Sequence, residues 1–236
     1  MDTAGARSPA VRVAIVTGAS RGVGRAIVRR LAARGHTVVV NYFHDQAAAE
    51  ATVDAILSDH GAAVTVRADV ADELDVERLF AETITAFGGL DAVVHTVGGP
   101  VAAPPLAKAD LGEFQALCRI NTQAAFIVNR EAARHVRKGG AIVNLSTTAE
   151  RLAPPAYGLY TAAQSATNVI TRALARELRE RDITVNAVTL DLGMPCAPHQ
   201  VTNVVTYLLS ADGHRLTGQL LRLDDPRVAR YHERRR

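Results

Sequence analysis

The sequence predicts a doubly wound α/β fold, a seven-stranded parallel sheet with helices on both faces, as one domain. Three observations predict it. Short β-branched runs alternate with Ala-rich helical stretches along the chain, with no repeat, low-complexity block or long linker. Most of those runs are nearly continuously apolar, as parallel strands covered on both faces must be. The first run leads straight into a glycine-rich turn and then an amphipathic stretch. The 236 residues suit one large domain, and 48% hydrophobic with 22% charged residues excludes disorder, collagen and coiled coil.

The strand candidates in order are Val11–Thr17, Thr37–Tyr42, Ala62–Val66, Leu90–Thr96, Ala141–Ser146, Ile183–Val188 and Gly218–Leu223. The helices between them carry start and stop signals. Ile27, Val28 and Leu31 share the apolar side of the first helix, which exits at Arg34-Gly35. Asp45 caps a second helix that ends at His60-Gly61. Asp72 and Asp75 are spaced as an N-cap and an N3 acid, and Asp110 with Glu113 resembles a capping box. The helix Leu111–Val136 exits at Lys138-Gly139, and Leu159–Arg181 and Val201–Leu209 follow. Right-handed crossovers join such units. The expected boundaries are a flexible start at 1–10, the folded domain at 11–225 and a basic tail at 226–236.

Charge and composition narrow the partners. The net charge of +3 is set by the last ten residues, RVARYHERRR, with five Arg and one Glu; the rest of the chain sums to −1. With 4% aromatics and no Trp, nothing suggests a nucleic-acid face, and the tail reads as a solvated terminus. No apolar run approaches the ~20 residues that span a bilayer. The first ten residues lack an apolar core, so no secretory signal is expected. Cys118 and Cys196 are too few for a disulfide framework and fit a reducing, cytoplasmic compartment. The eight histidines show no metal-ligand spacing, so no metal site is expected.

The turn after the first strand is Thr17-Gly18-Ala19-Ser20-Arg21-Gly22-Val23-Gly24. Glycines in that place permit a tight turn and close approach of backbone to a pyrophosphate, and the following helix offers free N–H groups and a positive dipole end. An acid that holds an adenosine ribose is expected about 20 residues on, at the end of the second strand. That position reads Val40-Asn41-Tyr42-Phe43, without an acid. Asn41 does not repel a 2′-phosphate, and the Arg21 guanidinium is placed to meet one. Both favour NADP(H) over NAD(H).

With these residues the chain resembles the short-chain dehydrogenase/reductase family from about Arg12 to Asp225. TGASRGVG matches the family's TGxxxGxG, which implies a Rossmann-type fold and cofactor contacts from Gly18, Ser20, Arg21, Gly22, Val23 and Gly24. Asp69-Val70 matches the adenine-contacting pair. His95-Thr96-Val97-Gly98 stands at the Asn-Asn-Ala-Gly turn and keeps only Gly98. Asn121 matches the helix asparagine, which can hold a water. Tyr160 matches the catalytic tyrosine, Ile142–Thr147 the strand carrying the catalytic serine, and Ile183–Val188 and Leu216–Asp225 the last two strands. The resemblance implies pairing of the helices Leu111–Val136 and Leu159–Arg181 across subunits, hence a homodimer or homotetramer.

The departures bear on chemistry. The family's YxxxK reads Tyr160-Thr161-Ala162-Ala163-Gln164. Counting back from Tyr160 puts Thr147 at the serine position, one residue after Ser146. The family's Pro-Gly reads Leu190-Asp191, and only Leu192 to Gln200 stand where a helical lid usually lies. Tyr160 and Gln164 share one helix face. A glutamine amide can hydrogen-bond a ribose hydroxyl but carries no charge to lower a tyrosine pKa. An unassisted phenol is a poor base and a ready acid near neutral pH. The loss therefore penalises alcohol oxidation more than carbonyl reduction.

The expected function is thus NADPH-dependent reduction of a carbonyl or related group in a small molecule, with Tyr160, Thr147, Asn121 and Gln164 as site residues. Two alternatives stand beside it. One is a non-redox cyclase, lyase or isomerase on this fold. The other is a non-catalytic NADP(H)-binding protein. His95 reads as a hydrogen-bonded residue at a strand end rather than a base.

Overall fold

The computed structural model describes residues 12–99, 104–147, 157–190 and 197–223. The strands are β1 (Val13–Val16), β2 (Thr37–Tyr42), β3 (Ala62–Arg67), β4 (Leu90–His95), β5 (Val136–Thr147), β6 (Thr184–Leu190) and β7 (Leu220–Arg222). They form one sheet in the order β3-β2-β1-β4-β5-β6-β7, every pair parallel. The helices are α1 (Gly22–Ala32), α2 (Gln46–Ser58), α3 (Glu73–Phe87), α4 (Leu111–Leu117), α5 (Ala124–His135), α6 (Gly158–Glu177) and α7 (Pro198–Leu208). The doubly wound expectation holds.

The strand alternation builds two cores. Ala14, Val16, Val143 and Leu145 meet Ile27 and Leu31 of α1, Ile56 of α2 and Val201 and Val205 of α7. Val13, Ile15, Ile142 and Val185 meet Leu79 and Phe80 of α3, Val128 of α5 and Ala175 of α6. Successive side chains point to opposite faces, so each central strand is apolar on both.

The three acidic caps form as their spacing predicts. Asp45 accepts from the Ala48 N–H at 3.0 Å and Asp72 from the Asp75 N–H at 3.0 Å. Asp110 and Glu113 complete both bonds of a capping box, at 2.8 and 3.1 Å. Each such cap is worth about 1 kcal/mol.

Two expectations need correction. The stretch Leu111–Val136 is not one α-helix: a π-helical segment, Cys118–Gln123, separates α4 from α5. Lys138-Gly139 is not a helix exit either. α5 ends at His135, and the Arg181 guanidinium takes the carbonyls of Ala133 and Val136. The end carbonyls are thus satisfied from a distant side chain instead of a glycine cap. β5 begins there, and its register with β4 shifts between Leu90 and Ala92. Gly140 passes so near that a Cβ on it would sit 2.5 Å from the Asp91 carbonyl oxygen.

Among the described residues no helix is long and apolar enough to cross a membrane. The 1–10 and 226–236 segments, Cys196, and Asp191 of the Leu190-Asp191 pair lie outside the described residues, as do residues 192–196 of the shortened lid segment.

Candidate active site

β1 and β4 are neighbours, and the chain winds outward from them in both directions. A cleft opens outside the carboxyl ends of strands at such a switch point. Here it has a volume of about 330 Å3.

One end of the cleft is the glycine-rich turn. Gly18 and Gly22 have φ of +60° and +58°, a conformation that disfavours other residues. A Cβ on Gly24 would lie 2.5 Å from the Gly18 carbonyl oxygen, so α1 can pack this closely only on a glycine. The helix that follows is left open at its start. Arg21 occupies the N-cap without a side-chain cap bond, and the first turn holds no acid. Its N–H groups and dipole remain available to an anion. Gly18, Ser20 and Arg21 line the cleft, while Gly22, Val23 and Gly24 shape the turn behind it.

Asn41 lines the cleft too, and the structure shows why an amide stands there. It is buried, its Oδ1 accepts from the Gly18 N–H at 3.2 Å, and its Nδ2 donates to the carbonyls of Val66 and Ala68 at 3.3 and 3.1 Å. Its own carbonyl takes the Ala19 N–H at 2.8 Å. One residue ties the turn to β2 and to the end of β3.

Asp69 and Val70 line the same cleft. The Asp69 carboxylate accepts from the Ala71 N–H at 2.9 Å and from Arg119 at 2.7 Å. Phe43, His44 and Ile120 also line it, and these the motif reading missed. His44 was within reach of that reading, three residues past Asn41. The Arg119–Asp69 pair joins positions 50 residues apart and has no local signal.

His95 ends β4, as a hydrogen-bonded strand-end residue. Its Nδ1 lies 3.0 Å from the Thr17 hydroxyl, which already accepts from the Thr96 N–H. The Thr17 hydroxyl can give its proton to Nδ1 or accept the proton from it, and Nε2 is buried with no partner among the described residues. Burial pushes the His95 pKa down to about 4.

At the other end the structure brings together Gly98, Asn121, Tyr160 and Gln164. A Cβ on Gly98 would lie 3.0 Å from Gln164 Nε2 and 3.3 Å from Asn121 Oδ1, so the glycine lets the turn after β4 touch both amides. Asn121, inside the π-helical segment, accepts from the Gly99 N–H at 3.0 Å and donates to the Leu117 carbonyl at 2.9 Å. Such bulges often mark functional positions. Gln164 Nε2 sits 3.5 Å from the Tyr160 hydroxyl, and Gln164 Oε1 accepts from Thr167 at 3.3 Å. Tyr160 is 7% exposed; burial raises its phenol pKa, and the Gln164 contact only partly opposes this.

The two β5 hydroxyls differ. Thr147 donates to the Leu190 carbonyl at 3.2 Å. Ser146 is buried, on the strand face shared with Asn144, and its hydroxyl has no partner among the described residues. Asn144 Nδ2 donates to Thr171 of α6, so that face looks toward the helix bearing Tyr160.

Comparison with known proteins agrees with this architecture. A family model described as enoyl-(acyl carrier protein) reductase matches residues 18–192. A short-chain type dehydrogenase/reductase of Picea abies is 34% identical over 250 residues, covering 92% of each chain. Versicolorin reductase 1 of Aspergillus parasiticus is 40% identical over 178 residues, 75% of this chain and 68% of that one. A short chain dehydrogenase of Burkholderia cenocepacia, crystallised in complex with NADP, superposes with a TM-score of 0.81 at 31% identity, covering 90% of this chain and 96% of that one.

Proposed function

The chain belongs to the short-chain dehydrogenase/reductase family, and from that premise we propose that it is an NADPH-dependent reductase of a small-molecule carbonyl, with Tyr160 as the proton donor. The observation that carries this is the state of Tyr160. Its phenol is buried, its pKa is raised, and the group beside it is a neutral amide. That environment keeps the proton on, which suits a general acid and handicaps a general base.

The residues present fit the cofactor. The glycine turn and the uncapped start of α1 suit a pyrophosphate, and Arg21 faces the cleft with no acid at the end of β2. NADPH, when bound, supplies the hydride. This chain's residues do the rest. Tyr160 holds a proton for the carbonyl oxygen. Gln164 hydrogen-bonds a ribose hydroxyl in place of the family's lysine. Asn121 keeps the Gly98–Gly99 turn against α6, and a β5 hydroxyl, Thr147 by the family count, orients the carbonyl. Asp69 and Val70 border the adenine.

The neutral Gln164 also favours a second reading, a non-redox enzyme that keeps the cofactor for structure. NADPH consumption against a carbonyl panel, in wild type and Tyr160→Phe, decides. We expect wild-type turnover and a fall of about 10²–10⁴-fold in the variant. Product formed without NADPH oxidation favours the second reading, and equal activity of the two proteins removes Tyr160 from either.

The proposed assembly is a homodimer or homotetramer. Phe126 on α5 and Val169 on α6 are 51% and 66% exposed, large apolar side chains on the two helices that the family pairs between subunits.

A further inference from the structure

A second cavity, of about 500 Å3, lies at the opposite end of the sheet. Its walls are Arg172, Ala175 and Arg176 near the end of α6, Arg179 in the turn that follows, and Thr217-Gly218 just before β7. The Val185 N–H, near the start of β6, donates to Thr217 Oγ1, and the Gly218 N–H donates to the Val185 carbonyl. These are the amino ends of parallel strands, whereas the cofactor cleft lies at the carboxyl ends. Along α6, Arg172 is twelve residues from Tyr160, about 18 Å at the helical rise.

The three arginines stand at i, i+4 and i+7, so their stems rise on one side. Among the described residues none of the three guanidinium groups pairs with a carboxylate or a carbonyl. Other arginines nearby are used: Arg181 caps α5, Arg134 meets Glu131 and Arg137 meets Asp91. Glu177 and Glu180 lie on the same turns but do not line the cavity, and Asp182 is occupied by His214 at 3.1 Å. A helix C-terminus favours cations, which accounts for a basic last turn. It does not account for Arg172, more than a turn inside the helix, nor for a cavity walled by three such groups and no carboxylate. Ala175 and Gly218 keep bulk out of the space between them; a Cβ on Gly218 would come 3.4 Å from that of Ala175.

We propose that this cavity binds the diphosphate group of a small molecule. Arg172 and Arg176 are about 6 Å apart along α6, and Arg179 follows in the turn beyond its end. The three stems are strung along the cavity, and a row of three forks can engage two linked phosphates at once. Guanidinium forks engage phosphate oxygens in pairs, and Arg does this better than Lys.

The test is calorimetric titration of pyrophosphate into the full chain saturated with NADPH, so that the glycine turn does not contribute. We expect one site per chain, at least fivefold weaker binding of inorganic phosphate, and at least tenfold weaker pyrophosphate binding in Arg176→Gln. Arg30→Gln, an exposed charge on α1, leaves the affinity unchanged. ADP in place of pyrophosphate shows whether a nucleotide or the bare diphosphate is preferred. No saturable binding, equal affinity for phosphate and pyrophosphate, or an unaffected Arg176→Gln overturns the proposal. Failure of NADPH to bind would count against the proposed function alone, because the difference between wild type and Arg176→Gln still reads this cavity.

Discussion

At the glycine-turn end of the cleft, selectivity and architecture are fused. Asn41 borders the expected adenosine site, and at the same time its side chain bonds the glycine turn at Gly18 and the end of β3 at Val66 and Ala68. At the Tyr160 end they are separable. Gln164 touches Tyr160 only at 3.5 Å and bonds Thr167 at 3.3 Å, and neither contact holds strands together. The first end therefore tolerates little change, whereas the second can change its chemistry without rebuilding the fold. A lysine could be lost at position 164 at little structural cost; an acid could not be gained at position 41.

The sharpest way to break this comparison is Asn41→Asp, the substitution that puts at the end of β2 the acid by which such sites hold the ribose of NADH. An aspartate would place a carboxylate oxygen against the carbonyls of Val66 and Ala68, where the amide now donates. Two buried acceptors lose their donor and face a like charge. We expect a loss of about 2–4 kcal/mol in unfolding free energy, read by urea denaturation. A variant as stable as wild type would show that Asn41 is merely permissive and the two ends are alike.

His95 ends β4 beside Thr17 of the glycine-turn end and gives a pH signature. Its folded pKa of about 4 is below the ordinary histidine value of 6.5, so the unfolded chain binds a proton first. Its contribution is present above pH 6.5 and is lost as pH falls through 4. The expected loss is about 3 kcal/mol on the usual conversion of 1.36 kcal/mol per pH unit. Unfolding measured from pH 7.5 to 4 should show this decline in wild type and a shallower one in His95→Asn. Parallel curves would mean that the ring is not buried neutral.

Much of this was legible in the chain. The parallel sheet covered on both faces follows from the alternation of elements, and Asp45, Asp72 and Asp110 announce their helices because capping is local chemistry. What was not legible depends on contacts across the fold. The Leu111–Val136 pattern is helical throughout, and nothing in it marks the π-helical segment that carries Asn121. Lys138-Gly139 looks like a helix exit because Arg181, 45 residues away from Val136, does the capping. Asn41 was read by what it lacks, a charge; its bonds to Val66 and Ala68 emerge only when β3 is in place. Ser146 and Thr147 are adjacent in sequence, and only the sheet separates a hydroxyl tied to Leu190 from one without a partner among the described residues.

Arg21 offers a smaller test, confined to the surface of the first end. It lines the cleft and caps nothing with its side chain. Arg21→Ala should weaken NADPH binding roughly tenfold, the size of one charge-assisted contact, and leave NADH binding and stability unchanged. Equal loss for both cofactors would assign Arg21 to the pyrophosphate rather than the 2′-phosphate.

The smallest effect expected is from Gln164→Lys, and it addresses the second end directly. An ammonium group beside Tyr160 favours the phenolate, so the tyrosine pKa should fall. Oxidation of an alcohol needs that phenolate as base, while reduction needs the neutral phenol. In wild type, reduction should hold steady through neutral pH and decline only above the ordinary phenol range near 10, because burial raises the Tyr160 pKa. In the variant that alkaline limb should move to lower pH, and oxidation should gain a few-fold more than reduction. The gain stays modest because lysine must also desolvate: Gln164 is 5% exposed, and a buried ammonium resists its own charge. A variant that oxidises at a rate far above wild type, with no penalty in stability, would show a site waiting only for its lysine. A variant with an unmoved alkaline limb would show that Tyr160 does not titrate in the reaction, and the proton donor would then have to be sought among the β5 hydroxyls.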